Sequence, residues 1–280
     1  MQELVTPVVV LGVLGGVFAS LLGFASKVFY VEVDPTESKI RAALPGANCG
    51  ACGFPGCDGF AKAVAEGRAP VNGCLVGGPS VAQMLSDIKG VAAGGFDKKV
   101  ATVLCAGGDC CTKRTAKYMG INDCRTLDSL GGNKSCAYGC LGCGTCMDQC
   151  EFGAISMRDG IAFIDKEKCV ACGKCIKVCP RHIIQYRPYD AMAHIYCSSQ
   201  AFGKDAKEQC TVGCIGCSLC TKLAPNEFEM DGKLAVVKYS DNFDIEKARA
   251  AAAKCPAKCI IIIDDMVKIE KEEKVEQMAH

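Results

Sequence analysis

The chemistry of this chain is carried by sulfur: 24 of its 280 residues are cysteine. Cys140, Cys143, Cys146 and Cys150 are followed by Cys169, Cys172, Cys175 and Cys179, the last of them preceding Pro180. This is a C-x2-C-x2-C-x3-C run written twice. A thiolate is an anionic, soft donor, and four of them hold one iron–sulfur cubane. Other uses of cysteine fit less well. Disulfide scaffolds are typically secreted chains below about 100 residues, whereas these cysteines stand two or three residues apart in a far longer chain. Structural zinc uses two C-x2-C pairs separated by a long loop, not triplets trailed by a fourth cysteine. A C-x-x-C-H haem string does not occur in the sequence. The spacing predicts one-electron chemistry in a reducing compartment.

Three further sets extend the pattern. Cys49, Cys52, Cys57 and Cys74, spaced C-x2-C-x4-C-x16-C, predict one cluster, with Gly50, Gly53 and Gly56 allowing the tight wrap. Asp58 to Glu66 reads as a short helix ended by Gly67, with Phe60, Ala61 and Val64 facing inward. Cys214, Cys217 and Cys220 restate the triplet, and Cys255-Pro256 supplies a fourth position. Ala224-Pro225 stands where another Cys-Pro would, and an alanine-rich helix over Asp244–Lys254 replaces a second triplet. The losses remove all ligands of one cluster and keep those of another, predicting a single cluster on Cys214, Cys217, Cys220 and Cys255. Cys259 is left as either a buried small residue or a ligand. Cys105, Cys110, Cys111, Cys124 and Cys136 fall within 32 residues and match no derivable spacing. We expect a cluster on Cys105, Cys110, Cys124 and Cys136, with Cys111 as the alternative to Cys110. Cys197 and Cys210 stay unassigned, open to a ligand role or to plain burial. The cofactor expectation is about five [4Fe-4S] clusters, with thiols to spare for a sixth.

The elements that must position these sulfurs are legible in outline. Leu4 to Ser26 carries no charged side chain, and 23 helical residues span about 34 Å, enough for a hydrocarbon core of about 30 Å. A signal peptide would have a basic front, but only Glu3 precedes this run. Lys27, Lys39 and Arg41 follow it, so the positive-inside tendency puts the remaining chain in the cytoplasm. Gly12, Gly16 and Ser20 form one small-residue row and Gly15, Ala19 and Gly23 another, suited to close helix packing in lipid. The predicted class is α+β: a transmembrane helix (1–29), a small 4Fe-4S domain (30–80), a linker (81–99) whose single helical stretch Ser80 would cap, a two-cluster domain (100–190), a degenerate copy of it (191–265) and a charged tail (266–280). Ala154 to Ile164 alternates and turns at Asp159-Gly160, a hairpin signal. A net charge of +1 leaves no nucleic-acid footprint. No dinucleotide fingerprint lies in a strand–turn–helix context, since Gly12–Gly16 sits inside the apolar run. His182, His194 and His280 are scattered, and no catalytic constellation is evident.

The doubled run resembles bacterial two-cluster ferredoxins, a likeness that implies ferredoxin-like (ββα-type) domains. In that family the fourth cysteine of each run ligates the other cluster. Carried over, one cluster takes Cys140, Cys143, Cys146 and Cys179, and the other Cys169, Cys172, Cys175 and Cys150. Glu151 replaces the proline expected after Cys150, which should alter the local turn without removing a ligand. The order of motifs along nearly the whole chain resembles the RnfB family, the cluster-rich component of the Rnf membrane complexes, in its long clostridial form. Strings such as Gly120-Ile-Asn-Asp-Cys124 and Ser135-Cys-Ala-Tyr-Gly-Cys-Leu-Gly-Cys143 carry that likeness. The resemblance implies an electron-transport subunit of an ion-translocating ferredoxin:NAD+ oxidoreductase, coupled to Na+ or H+. Soluble ferredoxin would be the donor, and flavin-bearing membrane subunits the acceptors, at the cell membrane. The alternative is a membrane-tethered polyferredoxin that activates another metalloenzyme. Lys166, Lys168, Lys174, Lys177, Arg181 and Arg187 outnumber Asp165 and Glu167 in the second run, and such a basic face could steer an acidic ferredoxin.

Overall fold

The structure, a computed structural model, describes residues 2–29, 34–95, 97–240 and 242–263, with side chains described in the first helix from Val10 onward. The 266–280 tail lies outside the described residues. Helix α1 (Gln2–Val28) contains one stretch, Val10–Val28, long and apolar enough to cross a membrane, with a mean hydropathy of 1.7 and none of it buried within the chain. A Cβ added at Gly12, Gly15, Gly16 or Gly23 would meet nothing within 4 Å.

Three helices build the next unit: α2 (Pro35–Ala43), α3 (Gly56–Ala65) and α4 (Gly78–Lys89). Asp34 caps α2 by accepting from the Thr36 N–H at 2.7 Å. Helix α3 buries Phe60, Ala61, Ala63 and Val64, and Gly67 follows it at a φ of +75°. Helix α4 corrects the linker expectation: Val81 and Leu85 join Ile40, Phe60 and Val64 in one apolar cluster. Its period of buried Val81, Ala82, Leu85 and Ser86 belongs to a helix packed on a core. Ser80 does not cap it, because the hydroxyl lies inside the helix and donates to the Gly77 carbonyl. Gly90, left-handed at a φ of +65°, ends it.

The remainder is one topology used twice. In the first unit β1 (Lys99–Val103) pairs antiparallel with β4 (Ile184–Pro188), Val100 opposite Arg187. Between them lie α5 (Cys124–Ser129), α6 (Thr145–Asp148), the hairpin β2 (Ile155–Arg158) with β3 (Ile161–Ile164), and α7 (Lys174–Val178). Asp159 and Gly160 turn the hairpin with φ of +47° and +68°, the geometry of a type I′ turn. In the second unit β5 (Ala193–Ile195) pairs with β8 (Ile260–Ile262), enclosing α8 (Gly203–Gln209), α9 (Leu219–Leu223), the hairpin β6 (Phe228–Asp231) with β7 (Leu234–Val237), and α10 (Ile245–Ala253). Asp244 caps α10 through the N–H groups of Glu246 and Lys247. Each unit has its own apolar cluster, built largely of small residues and cysteines around Ile155, Ile183 and Ile184 in one and Phe228, Ile260 and Ile262 in the other. With so little aromatic bulk (6% of residues), these cores are thin, and groups bound by the cysteines would staple them.

Candidate metal centres

Each cysteine triplet has the same backbone form. The residues on either side of its middle cysteine are left-handed: Gly142 and Gly144, Ala171 and Gly173, Gly216 and Ser218. This wraps the chain so that successive sulfurs face one point. Gly142 is held there twice over, since a Cβ would also lie 2.5 Å from the Gly160 carbonyl oxygen. The fourth cysteines share a turn as well. The N–H groups of Gly153, His182 and Lys258 donate to the carbonyls of Cys150, Cys179 and Cys255 at 3.3, 3.2 and 3.2 Å. All three donor residues are left-handed. The expectation that Glu151 alters this turn is therefore corrected. Cys150 keeps the hydrogen bond and the left-handed third residue without proline, and Glu151 pairs with Lys174 instead. His182 serves as the left-handed residue of its turn and is exposed.

Four cavities of similar size, about 430, 350, 340 and 360 Å³, each have a cysteine group on their walls. One brings together Cys150, Cys169, Cys172 and Cys175, so the fourth cysteine of the first run faces the second triplet. Another is lined by Cys140, Cys146 and Cys179, together with Cys124. Cys143 adjoins it, hydrogen-bonded to Cys124. A third is lined by Cys214, Cys217, Cys220, Cys255 and Cys259. Cys259 lies between Cys214 and Cys255, its sulfur 3.8 Å from that of Cys255. Hydrogen bonding to Cys214 and Cys255 pushes the Cys259 thiol up and lowers theirs. The leftover thiol is therefore at the site, not apart from it. Cys49, Cys52, Cys57 and Cys74 form a mutually interacting set beside α3. There the Asn48 side chain accepts the Cys57 N–H at 2.8 Å and the Cys74 sulfur accepts the Gly77 N–H at 3.4 Å.

The fourth cavity departs from expectation. Cys105 and Cys136 line it, but Cys110 and Cys124 do not; its other thiols are Cys197 and Cys210. Cys110 stands exposed, its sulfur 2.6 Å from that of Cys111 and its N–H donating to Asp159. Cys124 is drawn to α6, where its N–H donates to the Thr145 hydroxyl at 2.8 Å. The local spacing of 105–136 could not show this, because half of the group comes from another unit. A signal was present: Cys136 and Cys210 each stand four positions ahead of a triplet, in Cys-Ala-Tyr-Gly-Cys140 and Cys-Thr-Val-Gly-Cys214.

The donor chemistry of these sites fits iron–sulfur clusters. Among the described residues, no three His, Cys, Asp or Glu side chains converge closely enough for a single ion; the thiols ring voids instead. Burial pushes Cys105 and Cys197 up to about 11 and Cys146 and Cys175 up to about 12, neighbouring thiolates adding to the last two. Four negative sulfurs at one buried point require a cationic partner. Backbone N–H groups aimed at sulfur, such as Ala154 to Cys150 at 3.4 Å, favour the thiolate form and tune cluster potential. The expected basic face is smaller than its sequence suggests. Arg181 is buried in a 2.6 Å pair with Asp128 and donates to the Cys136 carbonyl at 3.2 Å. Lys174 is paired with Glu151, and Lys168 with Asp165.

Comparison with known proteins bears on the same segments. Residues 44–76 match the family described as a putative Fe-S cluster, residues 139–183 a 4Fe-4S dicluster domain, and residues 211–262 the 4Fe-4S single cluster domain of ferredoxin I. The RnfB component of the Na+-translocating ferredoxin:NAD+ oxidoreductase complex of Acetobacterium woodii is 41% identical over 93% of this chain and 78% of its own length. Its counterpart in the ion-translocating oxidoreductase complex of Methanosarcina acetivorans is 38% identical over 92% of this chain and 97% of its own. The counterpart in the proton-translocating ferredoxin:NAD+ oxidoreductase complex of Clostridium ljungdahlii is 36% identical over the full length of both. The chain belongs to the RnfB family of the ion-translocating ferredoxin:NAD+ oxidoreductase complexes, as an iron–sulfur electron-transfer subunit.

Proposed function

We propose that this protein takes electrons from reduced soluble ferredoxin and passes them towards flavin-bearing membrane subunits, where NAD+ is reduced with coupled Na+ or H+ translocation. Ferredoxin-like domains carry the ligands: Cys140, Cys143, Cys146 and Cys179 hold one cluster, and Cys150, Cys169, Cys172 and Cys175 another. Cys49, Cys52, Cys57 and Cys74 hold a third, and Cys214, Cys217, Cys220 and Cys255 a fourth. A bound [4Fe-4S] cluster supplies one-electron redox chemistry. The chain's own residues fix the cysteines in left-handed wraps, exclude water with small apolar side chains and direct N–H groups at sulfur. Helix α1 anchors the protein in a single pass with the remainder on the cytoplasmic side, as Lys27 at its end supports.

The observation that carries this reading is the assembly of cysteine quartets around separate voids of like size. Cys49 is among the charges felt at Cys172, and Cys175 among those felt at Cys146. The first three ligand sets are thus neighbours. Anaerobic purification from membranes, an iron and sulfide assay, and EPR after dithionite reduction test the proposal. Brown protein with several S = 1/2 signals, isolated with flavin-bearing partners, is the expected result. A colourless, iron-free and folded protein refutes it.

A further inference from the structure

The two units do not merely abut; they exchange equivalent contacts. Cys105 stands two positions past the end of β1 at Val103, and Cys197 two positions past the end of β5 at Ile195. Cys136 and Cys210 correspond in the same way, each four positions ahead of a triplet. The Ala106 N–H donates to the Tyr196 carbonyl at 3.0 Å, and the Ser198 hydroxyl returns the link to the Leu104 carbonyl at 2.9 Å. Ser135 donates to the Gln209 carbonyl at 2.7 Å, and these two residues are themselves counterparts. Reciprocal pairing of this kind is the mark of a two-fold relation between surfaces.

At the centre of that relation is the cavity of about 430 Å³ lined by Cys105, Cys136, Cys197 and Cys210. Its walls are shaped for close approach. A Cβ on Gly139 would lie 3.5 Å from the Cys136 sulfur and 3.6 Å from that of Cys105, and one on Gly107 would lie 3.0 Å from that of Cys210. Lys134, buried at 7% exposure, brings a cation to the wall, held by the Gly160 carbonyl at 2.9 Å and Asp109 at 3.6 Å. Two hydrogen bonds complete the symmetry. The N–H of Cys140 donates to the Cys105 sulfur at 3.4 Å, and the N–H of Cys214 donates to the Cys197 sulfur at 3.3 Å. Each donor is the first cysteine of a triplet.

We propose that Cys105, Cys136, Cys197 and Cys210 hold a further [4Fe-4S] cluster, two ligands from each unit, which joins the ligand sets of the two units. This rests on the iron–sulfur reading above and adds a site that local motifs do not show. The ligand sets then touch in a single file. The Cys49–Cys74 set meets the one with Cys150, which meets the one with Cys140. The shared site follows, and the set with Cys214 ends the series. Passage along it moves one electron, supplied by reduced ferredoxin, and forms or breaks no bond.

Iron and sulfide counts on the anaerobically purified full chain test the proposal. Five sets predict about 20 of each per chain, at four per cluster. The Cys136→Ser/Cys210→Ser variant should lose one fifth of both, with loss of one S = 1/2 component in the reduced EPR spectrum. The Cys110→Ser/Cys111→Ser variant should keep the full count. A full count in the first variant, or loss of a cluster from the second, overturns the shared site. Should the first variant not fold, the second variant and the wild-type count decide, and a wild type with about 16 iron also overturns it. Wild-type protein without iron would refute the broader reading instead.

Discussion

Arg181 holds the loop that carries Cys136, and its removal can be sized. Its guanidinium forms a 2.6 Å pair with Asp128 and a 3.2 Å hydrogen bond to the Cys136 carbonyl, and it also reaches the Ala137 carbonyl. The side chain is 9% exposed, and that of Asp128 35%. Breaking a buried pair typically costs about 3–5 kcal/mol because the remaining charge is stranded. Asp128 regains water here, which reduces this to about 2 kcal/mol, and the orphaned carbonyl adds about 1 kcal/mol. Arg181→Met keeps the aliphatic stem and should destabilise the folded protein by about 3 kcal/mol in total. Arg181→Lys restores the charge but not the planar fork, and should recover less than half of that loss. Urea unfolding followed by visible absorbance, under anaerobic conditions, gives the number. A change below about 0.5 kcal/mol for Arg181→Met would place it among ordinary surface substitutions and refute the strut.

Other substitutions test separate parts of the architecture. Ser218 occupies a left-handed position at a φ of +57° that its counterparts Gly144 and Gly173 fill with glycine; Ser218→Gly should stabilise by about 1 kcal/mol in thermal unfolding. Leu85 is fully buried between α4 and its neighbours, so Leu85→Ala should cost about 3 kcal/mol and loosen the N-terminal cluster domain, seen as faster iron loss to a chelator. His194 is 3% exposed and bonded to the Tyr239 hydroxyl at 2.7 Å. Burial, and then the charge of Arg187, lowers it from 6.5 to about 4. The unfolded chain therefore binds its proton first: the contribution is whole above pH 6.5 and declines as pH falls towards 4. By linkage this amounts to about 3 kcal/mol. The stability of a His194→Gln variant should vary less between pH 7 and 4.5 in paired urea titrations.

Legibility in the sequence follows the range of the interactions. The hairpin at Asp159-Gly160, the helix around Phe60 and the cysteine wraps are set by neighbours within a few positions, and all lie where their spacing puts them. Helix α4 reads as a linker because glycines flank it, while its buried side rests on Ile40 and Phe60, which are distant in sequence. The grouping of Cys105 and Cys136 with Cys197 and Cys210 is hidden for the same reason: its partners come from loops over 60 residues apart. The Glu151 position shows the converse. A proline looks necessary to a turn that the Gly153 hydrogen bond already fixes.

The interlocked loops after β1 and β5 have a consequence for how the protein comes apart. Leu104 and Ser198 are bound to each other, as are Ala106 and Tyr196. Neither unit alone offers a partner for those groups. Residues 99–262 should therefore melt as one cooperative body, although separate family matches cover 139–183 and 211–262. A cut in the Asp190–Met192 connection would leave two fragments with unpaired edges, prone to find each other again.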